Sequence, residues 1–194
     1  MHPVEPGDDG VLRIHPEDAG EWRAWLEAHH ADAAGVWVAT WRKASGNVGL
    51  TYEELVRQAL CFGWIDAVTR KLDDVRTLQY CAPRKRGSGW ARTNKARIRE
   101  LEEAGLIAPA GAAVIAAAKA DGSWTLLDDV EDLVVPSDLA AALDARPGAR
   151  EAWDGFPPSA RKQMLAHVAM AKRPATREAR VSSIADAAAR GERL

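Results

Sequence analysis

Residues 60–94, LCFGWIDAVTRKLDDVRTLQYCAPRKRGSGWARTN, hold the residue types from which a polar binding site is assembled. Trp64 and Trp90 offer indole faces on which a flat group can stack, and Arg70, Arg84 and Lys85 offer charge for an anion. Asp66, Gln79 and Asn94 offer directed hydrogen bonds that would orient such a ligand. Ser88 lies between Gly87 and Gly89, in a loop whose backbone can approach a ligand closely. The expected chemistry is recognition of a small anionic or aromatic, nucleotide-like molecule. A second reading makes the protein an enzyme with Asp66 as general base in the same pocket.

The motifs that would define a reaction are missing. The chain has no HExxH, GxSxG or CxxC, and no Walker or GxGxxG loop. Its five histidines fall at no metal-ligand spacing beyond the adjacent His29 and His30, which point apart on a helix. Cys61 and Cys81 have no histidine near them in sequence and read as small buried hydrophobes. No catalytic residue, metal or cofactor is assigned. From Val75 to Arg99 there are eight basic residues and no acidic one, which admits a third reading, nucleic-acid binding through residues 84–99. The net charge of −2 and the lack of a DNA-binding motif weigh against it.

Several elements must position these groups. Pro16 opens an amphipathic helix with Trp22, Trp25, Leu26 and His29 on one face, and GVWVATWRK alternates as a strand. In TYEEL, Thr51 and Glu54 have capping-box spacing at the head of a helix that ends at Gly63. Two strands, 64–72 and 75–82, follow across Asp73-Asp74. With a two-residue turn, Arg70 faces Thr77, Val68 faces Gln79 and Asp66 faces Cys81, so that Trp64, Asp66, Val68, Arg70, Thr77 and Gln79 share one sheet face. From residue 92 onward the pattern is helical, and it closes with a hairpin bearing Leu165, Val168, Val181 and Ile184. The expected fold is α+β, with about three antiparallel strands covered by helices. It has a frayed segment over 1–14, a core over 15–156 and a helical hairpin over 157–194 docked on that core. No apolar run spans a membrane and no signal peptide is visible, so a cytoplasmic location is expected.

GWIDAVTRKLDD, the PR of CAPRKR, GWARTN, KADGSW and AKRPATREARV, taken in order, resemble the YdeI/OmpD-associated family, also labelled bacteriocin-protection proteins. The resemblance runs from about Glu21 to Gly191. It places Trp64, Ile65, Asp66, Pro83, Arg84, Trp90 and Asn94 at the family's Trp-Ile-Asp, Pro-Arg and Trp-x-x-x-Asn positions. Ala91 departs from the family's serine, and Tyr80-Cys81-Ala82 departs before the proline. The resemblance implies a link to antimicrobial resistance, and association with a porin by family name alone.

Overall fold

The structure is a computed structural model and describes residues 1–193. Its architecture is α+β, with a four-stranded sheet of order β1-β2-β4-β3. The chain divides into two units, one of residues 1–86 and 93–118 and the other of residues 87–92 and 119–194.

In the first unit, α1 (Ala19–His29) begins three residues later than Pro16 suggests. The carboxylate of Asp18 accepts the Glu21 N–H at 2.9 Å and fixes the helix start there. α1 buries Trp22, Trp25 and Leu26 against α2 (Tyr52–Cys61), with the Trp22 indole N–H donating to the Leu55 carbonyl at 3.0 Å. The capping box at Thr51 and Glu54 is present in full. α2 stops at Gly63, whose φ of 73° suits glycine. Further along the same unit, Gly111 sits against the backbone of α2's end, where an added Cβ would lie 2.2 Å from the Cys61 carbonyl oxygen.

The sheet gains a strand that the residue pattern does not reveal. β1 (Arg13–Ile14) pairs in parallel with β2 (Val36–Trp41), and two residues are too few to show alternation. Residues 1–14, expected to fray, are tied to the sheet. The Trp37 N–H donates to the Leu12 carbonyl, the Trp37 indole to Asp9, and Val4 and Val11 pack on Trp37 and Leu78.

β3 (Trp64–Lys71) and β4 (Arg76–Pro83) form the expected hairpin in a different register. Its turn has three residues because the Asp73 carboxylate accepts the N–H groups of Val75 at 2.9 Å and Arg76 at 2.7 Å, which holds Val75 out of the ladder. Near the tip Thr69 therefore faces Gln79 and Arg70 faces Leu78. A bulge between Asp66 and Val68 absorbs the slip and restores Asp66 opposite Cys81. One face then carries Val38, Thr40, Thr77, Gln79, Thr69, Asp66 and Trp64, and the other carries Trp37, Leu78, Tyr80, Val68 and Arg70. The expected grouping of Arg70 and Val68 with Gln79 is thus corrected.

The second unit is built from α5 (Asp128–Glu131), α6 (Ser137–Asp144), α7 (Ala149–Gly155), α8 (Pro158–Ala169) and α9 (Pro174–Ala189); α3 (Arg92–Glu103) and α4 (Pro109–Ala120) precede it and lie mainly in the first. Leu139, Leu143, Trp153, Leu165, Val168 and Ile184 share one apolar core, each contributing roughly 1.5–3 kcal/mol. Charge contrast assists at the margin. Arg177 grips Asp138 through two bonds of 2.6 and 3.0 Å, and Lys162 pairs with Glu131.

Candidate functional site

The polar end of the β2-β4-β3 face does not open to bulk solvent as a flat surface. β2 ends at Trp41, the chain leaves through Arg42, makes a single 3₁₀ turn (Lys43–Ser45) and returns through Asn47, Val48 and Gly49 to Thr51, the cap of α2. Sheet, returning loop and α2 enclose a cleft of about 810 Å³. Thr40, Thr69, Thr77 and Gln79 line its sheet side, Thr51, Tyr52 and Leu55 its helix side, and Trp41, Arg42, Lys43 and Asn47 to Leu50 its loop side. Gly49 passes so close to Trp41 that a Cβ would lie 2.8 Å from the indole, and this contact lets the loop fold back.

A chain of hydrogen bonds runs under this lining. Asp66 Oδ2 accepts from the Tyr52 hydroxyl at 2.8 Å and from Gln79 Nε2 at 3.0 Å. Gln79 Oε1 in turn accepts from the Thr69 hydroxyl at 2.5 Å, so the orientation of the amide is fixed at both ends. Burial and the acceptor at Asp66 push the Tyr52 phenol up to about 12, and it stays protonated throughout the physiological range. The Thr40 and Thr77 hydroxyls hydrogen-bond to each other across 3.2 Å, either one donating. Among the described residues no ion pair involves Arg42 or Lys43, and both are exposed.

Of the residues singled out from sequence, only Gln79 lines this cleft, with Asp66 directly behind it. Trp64 shares their face but is 1% exposed. Its indole donates to the His30 carbonyl at 3.2 Å and meets Trp25 edge-on at 5.8 Å, so it belongs to the core. Arg70 lies on the opposite face, over the Trp37 ring at 4.7 Å and 3.6 Å from Asp9. Arg84 is half-buried after β4, and desolvation pulls its guanidinium down to about 10 while Asp66 acts in the other direction. Lys85 is exposed just beyond. Asn94 accepts from Arg97 at 2.8 Å, and Arg97 holds Glu53 through its Nε and Nη2, so Asn94 works in the docking of α3 onto α2. Ser88 and Trp90 belong to the second unit, where Trp90 is buried with its ring 5.0 Å from that of Trp124.

Asp73 is committed to its turn and to Arg76 Nε at 2.7 Å. Burial raises the thiols of Cys61 and Cys81, which keeps both in the unreactive form. Among the described residues no cluster of three or more His, Cys, Asp or Glu side chains forms a metal site, and no helix is long and apolar enough to cross a membrane. The sequence reading missed Thr40, Arg42, Lys43, Thr51, Tyr52 and Thr69. A signal existed in WRKASGN, a cationic, Gly-containing connection that joins a strand directly to a capped helix.

The family model described as "Domain of unknown function (DUF8412)" matches residues 14–114, about half of the chain, and the chain belongs to that family. A second model, described as "Bacteriocin-protection, YdeI or OmpD-Associated", matches residues 132–191. The resemblance expected from Glu21 onward is therefore supported over the C-terminal part, which contains AKRPATREARV. GWIDAVTRKLDD and GWARTN fall instead within the first match, and KADGSW falls in neither. No curated protein and no solved structure matches the chain.

Proposed function

We propose that the first unit of this DUF8412 member binds a small organic anion in the cleft between the sheet, α2 and the loop of residues 42–50. The supporting observation is the distribution of its lining: two loop cations that no acid among the described residues pairs with, hydroxyls and an oriented amide on the sheet, and Trp41, Leu50 and Leu55 as apolar walls. A concave, partly apolar site with a few convergent polar groups suits a small molecule better than a polymer. The basic segment gives nucleic-acid binding little support, since Arg76, Arg92 and Arg97 are each held by an acid of their own unit: Asp73, Asp132 and Glu53. An enzymatic role for Asp66 is also less supported, because Oδ2 already accepts two hydrogen bonds. The bacteriocin-protection name of the match over 132–191 fits a stress-linked role for the whole chain.

The test is titration of the full chain with a panel of small organic anions, followed by calorimetry and by the NMR signals of the Trp41 indole and the Thr69 and Gln79 amides. Binders are expected to shift those signals and to lose about tenfold or more in affinity in the Arg42→Ala/Lys43→Ala double variant, the worth of a charge-assisted hydrogen bond. Equal affinity in the double variant would remove the loop cations from the site.

A further inference from the structure

The direction of each hydrogen bond in the cleft says what kind of group its inner lining can accept. Resting on the anion-binding reading above, we infer that the ligand is a zwitterion of amino-acid type, its ammonium group held against the sheet side and its carboxylate turned to the loop.

Five hydroxyls line the cleft: Thr40, Thr51, Tyr52, Thr69 and Thr77. A hydroxyl has one proton to give and two lone pairs to receive. Tyr52 spends its proton on Asp66, Thr69 on Gln79 and Thr51 on Glu54 at 2.7 Å, and one of the Thr40–Thr77 pair spends its proton on the other. Gln79 commits one amide N–H to Asp66. Four of the five hydroxyl protons are therefore engaged inside the protein, and what faces a ligand is mainly lone pairs. The Asp66 carboxylate behind them adds negative potential, and it also acts on the guanidinium of the half-buried Arg84. A carboxylate or phosphate has no donors and would meet acceptors there, whereas an ammonium group brings three donors. On the loop side the arrangement is reversed. Arg42 and Lys43 are cationic donors, and no acid among the described residues pairs with them. A molecule with one charge of each sign satisfies both sides, and Trp41, Leu50 and Leu55 cover its apolar body.

The experiment compares three probes that share a phenyl body: phenylalanine, 3-phenylpropionate and phenethylamine. Each is titrated by calorimetry into the full chain and into its Thr69→Val and Tyr52→Phe variants, whose folding is checked by thermal melting. Phenylalanine is expected to bind about tenfold or more tighter than 3-phenylpropionate. Each variant should narrow that ratio to within about threefold while leaving 3-phenylpropionate nearly unchanged, because the lost lone pair serves only the ammonium. If 3-phenylpropionate binds as tightly as phenylalanine, or if neither variant changes the ratio, the zwitterion is overturned and the anion cleft stands. If phenethylamine alone binds, or none of the three binds at about millimolar concentration, the cleft reading falls together with this one.

Discussion

His15 is the most exposed weakness of the fold to acid. It follows β1, is 1% exposed, and neither ring nitrogen has a hydrogen-bond partner. His2 and Trp41 flank its ring, each with centroids 4.7 Å away. Burial first, and then the positive charges of His2, Arg76 and the N-terminus, pull its imidazole down to about 4 from an ordinary 6.5, against a small opposing effect of Asp73. A base whose folded pKa is depressed stays neutral in the native state while the unfolded chain takes up a proton. Its contribution is therefore whole above about pH 6.5 and drains away as the pH falls toward 4. Between pH 7 and 5 the linkage integral is about 2 kcal/mol, with a slope of about 1.2 kcal/mol per pH unit near pH 5. The perturbation is His15→Phe, which keeps an aromatic ring, removes two orphaned polar atoms and cannot titrate. Urea unfolding at pH 7, 6 and 5 is the assay. The variant should be at least as stable as the parent at pH 7, since an unsatisfied buried polar atom costs about 1–3 kcal/mol. Relative to the parent it should gain about a further 2 kcal/mol by pH 5. Parallel stability curves for parent and variant would refute the reasoning, because the acid sensitivity would then belong to other groups.

Three further outcomes follow from the packing. Gly111→Ala should cost about 1–3 kcal/mol in urea unfolding, because its methyl would collide with the Cys61 carbonyl, a backbone atom that cannot swing aside; a neutral effect would mean α4 shifts freely. Trp64→Ala should cost about 3–5 kcal/mol as a core truncation, and a small loss of stability would return Trp64 to the list of ligand contacts. Asp138→Ala should lower stability by no more than about 1 kcal/mol despite the bidentate contact with Arg177, since the pair is partly exposed; calorimetric melting showing a larger loss would mean that charge, not burial, holds α9 in place.

Much of this architecture was legible because its signals are local. The Thr51–Glu54 capping box, the alternation of β2 and the apolar stripes of α8 and α9 each lie within a few residues of one another. The register of the hairpin was not, because two deviations have to be known together. A single side chain, Asp73, lengthens the turn by capping two N–H groups, and an unremarkable alanine, Ala67, bulges to compensate. Since the two cancel at Asp66, the face of Asp66, Trp64 and Gln79 came out as expected while Arg70 and Val68 were misplaced. The basic segment drew attention as a run in the sequence, yet a run says nothing of which acids await it. Arg42 and Lys43, only two residues long as a signal, are the cations that reach the cleft.

The bulge at Ala67 also makes the hairpin a matter of parity. Asp66 and Thr69 are an even and an odd position of one strand, yet both serve the same face, and only an extra residue between them allows that. A single-residue deletion at Ala67 would bring Asp66 and Thr69 two positions apart, so a regular ladder without a bulge would keep both on the cleft face and leave the chain of hydrogen bonds in place. A ladder in which Ala67 paired normally and Val75 joined β4 would instead be a regular ribbon with a two-residue turn and Arg70 on the cleft side. The bulge and the three-residue turn are thus a single choice of register, and that choice decides which residues of β3 near the tip look into the cleft.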